Sequence, residues 1–324
     1  MTGGTGSPGR SLLADLQDRL ILPGLLGFTR LGYRWRRRRW KPLTVSLRGR
    51  TAVVTGATSG LGRAAASQLA ALGARVILVG RDPARAEATR REIVAATGNA
   101  DVAVALADLS LLAEVRKLAR QLLRDEPRIH VLVNNAGVLL GRRTTTAEGN
   151  ETTLATNLLA PFLLTQLLLP RLRESAPARI VNVSSGGMYT TGLALDDLQY
   201  EKGAWDGARA YARTKRALVV LTDLWAARLK GSGVVVHAMH PGWADTPGVA
   251  SSLPAFRRVT RPLLRTAEEG ADTITWLAAA PEAALTSGGF WLDREPHTTH
   301  VFPGTDPSPQ ERRRLWDELV RLTG

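Results

Sequence analysis

The sequence predicts an α/β fold in which a single, doubly wound parallel sheet of about seven strands is flanked by helices. Short apolar, β-branched runs alternate from residue 50 onward with segments of helical length and period, a pattern typical of parallel strands joined by crossover helices. A glycine-rich turn directly follows the first run, and no internal repeat or second domain interrupts the alternation. The predicted strands are TAVVT (51–55), RVILV (75–79), VAVAL (102–106), HVLVN (130–134), RIVNV (179–183) and VVVHAM (234–239).

The composition is that of a globular protein with a large core. The chain has 324 residues, of which 44% are apolar, and it contains no cysteine. The lack of cysteine excludes disulfides, thiolate metal sites and cysteine nucleophiles, and it suits a cytoplasmic protein. The net charge of +14 raises the question of nucleic-acid binding, but arginine is scattered over the whole chain. We therefore predict no nucleic-acid partner.

Two segments are predicted: an N-terminal extension, residues 1–46, and one α/β domain, residues 47–324. Residues 11–41 combine leucines at helical spacing with a run of arginines flanked by Trp35 and Trp40. Such a pattern belongs either to an interfacial membrane anchor or to a solvated arm that packs on the domain. Because the extension precedes the first strand, we expect it to be dispensable for ligand binding at the sheet.

The most apolar stretch is predicted to be a helix buried inside the domain. LLAPFLLTQLLLP, residues 158–170, is shorter than the roughly 18–20 residues that span a bilayer, and it carries Pro161 and Gln166. The N-terminus also lacks the ordered basic, apolar and small-residue regions of a signal peptide. We expect a cytoplasmic protein, with peripheral membrane contact through residues 11–41 as a further hypothesis.

The glycine-rich turn, TGATSGLGR (55–63), lies between the first strand and the first helix of the domain. Glycines at such a position let backbone N–H groups approach a pyrophosphate at the N-terminus of the helix. This context predicts a dinucleotide site, which a lone glycine pattern would not. The predicted cofactor-binding residues of this turn are Thr55, Gly56, Thr58, Ser59, Gly60, Leu61, Gly62 and Arg63.

The glycine spacing T-G-x-x-x-G-x-G resembles that of the short-chain dehydrogenase/reductase family. Four further motifs of that family follow in order: NNAG (134–137), VNVSS (181–185), YARTK (211–215) and HPGWADT (240–246). The resemblance implies a Rossmann-type NAD(P)-binding domain and an oxidoreductase that interconverts an alcohol and a carbonyl. It also implies cofactor contacts by Asp108, Leu109, Asn135, Ala136, Gly137, Pro241, Gly242 and Thr246.

A closer resemblance concerns the subgroup typified by dehydrogenase/reductase SDR family member 12. It rests on VSSGGMY, MHPGWADTPGV, EEGADTITWLA and SGGFWLDREPHTTH, which extend from about residue 178 to residue 303. This similarity narrows the family but leaves the substrate and the physiological direction open.

The end of the second strand indicates which nicotinamide cofactor is bound. Relatives that use NAD hold the ribose hydroxyls with an acidic residue there, but this chain has Gly80 followed by Arg81. Arginine pairs well with a 2′-phosphate, and Arg63 adds a second cation. Asp82 comes one residue too late and is predicted to cap the helix that begins at Pro83. We therefore favour NADP(H) over NAD(H).

Tyr211 and Lys215 are four residues apart and lie on one face of a predicted helix. Alone, this spacing is more typical of two surface residues. A nearby ammonium lowers the pKa of a phenol toward working pH, which a catalytic acid/base requires. The resemblance implies that Tyr211 is this acid/base, that Lys215 also binds the nicotinamide ribose, that Ser185 holds the substrate oxygen, and that Asn157 fixes a helix kink and a relay water.

Ser184 competes with Ser185 for the substrate, and strand alternation allows only one of them to face the site. The family pattern favours Ser185. The segment LALDDLQYEKGAW (193–205) lengthens the chain between Ser185 and Tyr211 and is predicted to form a loop beside the entrance to the substrate site. Tyr189, just before this segment, and Tyr200 within it lie either near the substrate or on the surface.

Residues 247–264 are predicted to form a lid with apolar and arginine faces, which suggests an apolar substrate.

No metal site is predicted, because no carboxylate or cysteine cluster accompanies HTTH (297–300). The family assigns His240 no catalytic role. Two rival hypotheses stay open, a non-catalytic nucleotide sensor and a membrane-recruited scaffold, and so does a homo-oligomer.

Overall fold

One mixed sheet organises the protein. A computed structural model describes residues 27–245, 254–301 and 304–324. Within these residues, eight strands pair in the order β3-β2-β1-β4-β5-β6-β7-β8. They are β1 (Thr51–Thr55), β2 (Arg75–Gly80), β3 (Val102–Leu106), β4 (Val131–Asn134), β5 (Ala178–Val183), β6 (Val234–Met239), β7 (Phe290–Leu292) and β8 (Glu295–His297).

Helices cover both faces of the sheet. They are α1 (Arg30–Arg37), α2 (Gly60–Ala71), α3 (Pro83–Thr97), α4 (Leu112–Asp125), α5 (Thr152–Glu174), α6 (Gly207–Arg228), α7 (Pro254–Thr260), α8 (Ala267–Ala279) and α9 (Pro309–Thr323). Apolar side chains of α2, α3 and α8 form one core cluster with one face of the sheet. Those of α4, α5, α6 and α9 form a second cluster with the other face. The central strands are therefore apolar on both sides, and all five residues of β1 are buried.

The predicted parallel sheet is confirmed for β1 to β7, and the six strands named from the sequence all form. The eighth strand is a difference, because β8 pairs antiparallel with β7. Asp293 and Arg294 make the tight turn between them, with φ values of 53° and 63°. A two-residue turn with both φ angles positive matches the twist of an antiparallel pair.

The predicted buried apolar helix is confirmed and is longer than expected. The helix α5 is the only one among the described residues that is long and apolar enough to cross a membrane, but 78% of its most apolar window is buried inside the protein. Phe162 on this helix packs against Trp225 and Trp316, which α6 and α9 supply. Its apolar surface is thus part of the core of the domain.

Candidate active site

The site lies at the C-terminal ends of the parallel strands. The chain runs outward from β1 to β3 on one side and from β4 onward on the other, so neighbouring connections diverge between β1 and β4. Ligands bind at such a switch point in open α/β sheets. The glycine turn after β1, Asn134 at the end of β4, Ser185 after β5 and Pro241 after β6 all lie at this edge.

The glycine turn leaves no space for side chains. Gly56 and Gly60 have φ values of 63° and 51°, in the left-handed region that glycine tolerates. A Cβ on Gly62 would lie 2.2 Å from the carbonyl oxygen of Gly56 and 2.4 Å from Nδ2 of Asn135. The N-cap residue of α2, Ser59, makes no side-chain capping hydrogen bond. The first N–H groups of α2 therefore lack the partner that most helix N-termini have.

Thr55 and Asn135 brace the turn against the loop after β4. The Thr55 hydroxyl donates to the carbonyl of Val133 at 3.1 Å and accepts from the backbone N–H groups of Asn135 (2.9 Å) and Ala136 (3.1 Å). The Asn135 amide donates to the Thr55 carbonyl at 2.8 Å. This geometry makes both side chains part of the frame of the turn, a role that the sequence pattern did not reveal.

The adenosine end of the predicted site contains Gly80 and Arg81. Arg81 is exposed just after β2, and Asp82 accepts a hydrogen bond from the Arg85 N–H at 3.1 Å. The predicted helix-capping role of Asp82 is thus confirmed. A Cβ on Gly80 would lie 2.6 Å from the methyl carbon of Thr58. The Thr58 methyl therefore occupies the space that a side chain at position 80 would need.

Two other predicted residues of this end already have partners. Arg63 forms an ion pair with Glu92 at 3.1 Å, and both side chains are about half exposed. The Asp108 carboxylate accepts hydrogen bonds from the N–H (2.9 Å) and the hydroxyl (2.8 Å) of Ser110. Leu109 is buried. Asp108 and Leu109 thus shape the loop after β3.

Lys215 is buried beside Tyr211 on α6. Its ammonium donates to the carbonyl of Val183 at 2.8 Å and lies 5.5 Å from the centre of the Tyr211 ring. A Cβ on Gly137 would approach Nζ to 3.2 Å, so glycine keeps the space above the ammonium open. Burial lowers the pKa of Lys215 to about 8. A charged amine held in a largely apolar setting is an arrangement found at functional sites.

Ser185 and Tyr211 meet as the sequence predicted. Burial raises the pKa of the Tyr211 phenol, and a hydrogen bond with the Ser185 side chain lowers it by less. The expectation that Lys215 brings this pKa down is therefore not met in the protein alone. Tyr211 is a neutral phenol at neutral pH, the form that gives a proton.

Ser184 faces away from Tyr211. Its hydroxyl donates to the backbone carbonyl of Lys215 at 2.9 Å, and the residue is buried. The hydroxyl of Ser185 instead accepts from the Gly187 N–H at 3.2 Å at the start of the 3₁₀ helix Gly186–Thr190. The alternation of the two serines follows the strand that precedes them.

Asn157 occupies a π-helical turn, Ala155–Leu159, within α5. This fully buried amide accepts from the Val138 N–H at 2.8 Å and donates to the Val138 carbonyl (3.0 Å) and the Thr214 hydroxyl (3.1 Å). The predicted kink takes the form of this π-turn, a feature frequent at functional sites. The amide thereby ties the loop after β4 to α6, next to Lys215. The relay water stays a prediction.

The turn after β6 is held by a buried arginine. Gly242 has a φ of 76°, and a Cβ there would lie 2.2 Å from Nε of Arg265. Arg265 donates to the Pro241 carbonyl at 3.3 Å and pairs with Asp293, with both side chains 1% exposed. Of the predicted residues, Thr246 and the part 247–253 of the lid lie outside the described residues. The rest of the lid comprises α7 and a 3₁₀ turn.

Residues 27–41 pack on this same turn, in line with the predicted alternative of an arm that packs on the domain. The Arg265 guanidinium donates to the carbonyls of Gly27 (2.7 Å) and Phe28 (3.0 Å). Arg36 pairs with Asp293 at 2.6 Å. Whether the extension is dispensable for cofactor binding stays a prediction, and residues 1–26 lie outside the described residues.

The inserted segment packs against helices of the domain. Tyr200 is 4% exposed and lies between Trp205 and the guanidinium of Arg213. The Trp205 indole donates to the Leu140 carbonyl at 3.1 Å, so the end of the insert contacts the loop after β4. Tyr189 donates to the Thr298 carbonyl at 2.8 Å. The hydroxyls of Tyr189 and Tyr200 therefore take no part in the Ser185–Tyr211 arrangement.

The described residues contain no group of three or more His, Cys, Asp or Glu that could hold a metal ion.

Comparison with known proteins agrees with this geometry. Residues 50–255 match the family model of short chain dehydrogenases. The chain is 41% identical over 303 residues to dehydrogenase/reductase SDR family member 12 of Bos taurus, covering 92% of this chain and 95% of that protein. It is 39% identical over 282 residues to retinol dehydrogenase 12 of Homo sapiens, covering 86% and 88%.

A solved structure shares the fold. The Pseudomonas aeruginosa RhlG/NADP active-site complex superposes with a TM-score of 0.64 and 29% sequence identity, covering 77% of this chain and 96% of that one.

Proposed function

Since the chain belongs to the short-chain dehydrogenase/reductase family and is an NAD(P)-dependent oxidoreductase of alcohol and carbonyl groups, we propose that it reduces an apolar aldehyde or ketone with NADPH, using Tyr211 as the proton donor. The single observation that carries this proposal is the juxtaposition of Ser185, Tyr211 and the buried Lys215 at the open edge of the sheet. A sensor that only bound the nucleotide would have no use for a hydrogen-bonded serine–tyrosine pair.

The residues present fit a nicotinamide dinucleotide. The tight glycine turn and the uncapped N-terminus of α2 leave backbone N–H groups for a pyrophosphate, and the space over Gly137 adjoins the Lys215 ammonium. When bound, the cofactor supplies the hydride in reduction. Lys215 would hold the nicotinamide ribose, while Pro241 and Gly242 would border the ring.

The protein's own groups supply the proton and stabilise the charge. Ser185 donates a hydrogen bond to the substrate oxygen, and Tyr211 gives its phenolic proton to that oxygen as negative charge develops there. The Lys215 ammonium stabilises the phenolate that remains. Because burial favours the neutral phenol, the proton is in place before the reaction, which suits carbonyl reduction.

NADP(H) preference is proposed on the charges at the end of β2. Gly80 leaves no carboxylate to accept from a ribose hydroxyl, and the exposed Arg81 follows it. Arg63, one turn into α2, is held by Glu92 through an exposed ion pair that is weak enough to exchange for a phosphate.

The substrate class is proposed to be apolar, in line with relatives named retinol dehydrogenases. The test is NADPH oxidation, followed by absorbance, with a panel of aldehydes and ketones that includes retinaldehyde and polar carbonyl compounds as controls. Turnover confined to the apolar members supports the proposal. Tight NADPH binding without turnover of any member would favour the nucleotide sensor.

A peripheral membrane contact is proposed for α1. Leu31 and Trp35 are 62% and 51% exposed on one side of this helix, and the Arg39 guanidinium lies 4.4 Å above the Trp35 ring. Apolar and basic groups side by side suit an anionic lipid surface. Trp35→Ser should reduce co-sedimentation with phosphatidylserine vesicles, whereas Leu285→Ser, at an exposed leucine elsewhere, should not. Equal binding of both variants would exclude this surface.

A further inference from the structure

His240 is a buried imidazole between two parts of the chain. One is the described part of the N-terminal extension, residues 27–46, called the N-terminal segment below; the other is the Ser185 loop, defined as residues 185–190. It is 3% exposed at the end of β6. Its Nδ1 accepts a hydrogen bond from the backbone N–H of Gly186 at 3.1 Å. That N–H belongs to the residue directly after Ser185, so the imidazole fixes the peptide that carries the serine.

The second ring nitrogen has no hydrogen-bond partner among the described residues, although it is buried. Since Nδ1 accepts from Gly186, the proton of the neutral ring must be on Nε2. A buried donor without a partner costs about 1–3 kcal/mol. An apolar side chain would avoid that cost, so the imidazole is explained by the one hydrogen bond that an apolar side chain cannot make.

Phe28 and Phe290 enclose the ring. The Phe28 ring meets His240 edge-on, with centroids 4.6 Å apart, and Phe290 stacks parallel to it at 6.4 Å. Burial, and the charges of Arg265 and His297, hold the pKa of His240 well below its ordinary value. The imidazole is therefore neutral at working pH, and Nδ1 stays available as an acceptor.

The backbone of Phe28 is fixed as firmly as its ring. Its carbonyl accepts from the Trp243 N–H at 2.8 Å and from Arg265 Nε at 3.0 Å. Arg265 is in turn held by the buried carboxylate of Asp293 at 2.9 Å. A continuous set of contacts therefore runs from the N-terminal segment to the Ser185 loop.

We propose that His240 is a positioning residue, which holds Ser185 in hydrogen-bond contact with Tyr211 through the Gly186 N–H, and that Phe28 keeps the imidazole in place. The N-terminal segment is then a part of the active site that the motifs of the sequence do not mark. This inference rests on the proposed function, because it assumes that Ser185 and Tyr211 act on the substrate oxygen.

The test uses the full chain and needs no substrate. The protein has four tyrosines, so labelling the tyrosine Cζ with ¹³C gives four NMR signals, and Tyr211→Phe identifies that of Tyr211. Ser185→Ala removes the hydrogen bond directly and sets the reference shift. His240→Phe should move the Tyr211 signal in the same direction and by a similar amount. His240→Asn, whose Oδ1 can accept from the Gly186 N–H, should leave it near the wild-type position.

Phe28→Ala gives an independent route, because it leaves the imidazole in the chain and should shift the Tyr211 signal partway toward the reference. Trp35→Ala, at an exposed position on the same segment, is the matched control and should shift nothing. An unchanged signal of Tyr200, which lies outside both the N-terminal extension and the Ser185 loop, shows that each variant is folded. The inference is overturned if His240→Phe leaves the Tyr211 signal unmoved, or if His240→Asn shifts it as far as His240→Phe does.

Kinetics separate this inference from the proposed function. With a substrate found in the carbonyl panel, His240→Phe should lower kcat about tenfold or more, since small misplacements of reacting groups are costly. The dissociation constant of NADPH should stay within about twofold, because the contact leads to Ser185. In a Ser185→Ala background the same change should have little further effect. If the wild type turns over no carbonyl compound of the panel, the proposed function fails; if Ser185→Ala is inactive while His240→Phe is normal, only the role of His240 fails.

Discussion

Burial shifts the pKa values of Lys215 and Tyr211 in opposite directions. Burial lowers the pKa of the ammonium to about 8 and raises the pKa of the phenol. At pH 7 the lysine is still mostly charged and the tyrosine is neutral. Tyr211 can therefore donate its proton, and the Lys215 ammonium can stabilise the phenolate that remains. These effects favour Tyr211 as the proton donor in carbonyl reduction. Tyr211 would act as a base only in the reverse reaction, the oxidation of the alcohol.

The first prediction concerns Arg81. Arg81→Ala should weaken NADPH binding about ten- to a hundredfold, because a charge-assisted hydrogen bond contributes roughly 1.5–3 kcal/mol. NADH has no 2′-phosphate and should bind as before. Fluorescence titration of both cofactors checks this, with Arg91→Ala on the exposed side of α3 as the control. Equal weakening of NADPH and NADH would show that Arg81 is structural.

A second prediction follows from the close contact between Gly80 and Thr58. Gly80→Asp adds a carboxylate that repels the 2′-phosphate, so NADPH binding should fall. The new Cβ meets the Thr58 methyl at 2.6 Å, however, so this substitution alone should gain little NADH affinity. Thr58→Ala combined with Gly80→Asp removes the methyl and should turn the preference to NADH. A single Gly80→Asp variant that already prefers NADH would disprove the steric argument.

At the scale of elements, the π-turn in α5 positions a side chain that joins three parts of the domain. It presents Asn157 to both peptide groups of Val138 and to Thr214, so one buried amide joins α5, α6 and the loop after β4. An amide can donate and accept at once, which a carboxylate or hydroxyl of similar size does less well in this setting.

The third prediction tests this junction. Asn157→Ala should lower the free energy of unfolding by about 2–4 kcal/mol, because it leaves the partly buried backbone groups of Val138 and the buried Thr214 hydroxyl without this partner. Asn157→Asp is the matched variant: it keeps the acceptor for the Val138 N–H but loses both donated bonds, and it should be destabilised as well. Urea denaturation followed by tryptophan fluorescence measures both. A loss below about 0.5 kcal/mol for alanine would show that water replaces the amide.

For the whole molecule, buried neutral histidines make stability depend on pH. His130 accepts from the Thr51 N–H at 3.0 Å, and burial lowers its pKa from the ordinary 6.5 to about 4. Between these two pH values the unfolded chain binds the proton more readily. The contribution of His130 is therefore complete above pH 6.5 and is lost as the pH falls toward 4.

The fourth prediction isolates this contribution. His130→Asn keeps an acceptor near the position of Nδ1 but cannot be protonated, so the variant should lose less stability than the wild type between pH 7.5 and 5. The difference should be up to about 2 kcal/mol, since each pKa unit corresponds to about 1.4 kcal/mol. Denaturation at both pH values measures it. Parallel pH curves for the two proteins would assign the acid sensitivity to other groups, such as His237, whose pKa is also lowered by burial.

Much of this structure follows from local patterns in the sequence. The strands, the glycine turn and the Tyr211–Lys215 pair depend on periodicity and short spacing. Strand alternation showed that only one of Ser184 and Ser185 could face the site, and the resemblance to the family chose Ser185. Neither strand of the β7–β8 hairpin was named from the sequence, because each is only three residues long.

The contacts that escaped prediction are those between distant parts of the chain. Arg265 and Phe28 are 237 residues apart, and nothing near either residue marks them as partners. The Thr58–Gly80 contact and the enclosure of His240 likewise arise only when separate elements pack. The fall in the pKa expected for Tyr211 was also wrong in direction, because burial outweighs the hydrogen bond from Ser185.

The central claim is that the Tyr211 phenol transfers the proton while NADPH binding depends on other residues. Its most direct test is the rate of NADPH oxidation by wild type and Tyr211→Phe, with the best substrate of the carbonyl panel, together with the NADPH dissociation constant of each. We predict a loss of kcat of about a hundredfold or more, with the dissociation constant changed less than about threefold. A Tyr211→Phe variant that turns over at a rate near that of the wild type would contradict the claim.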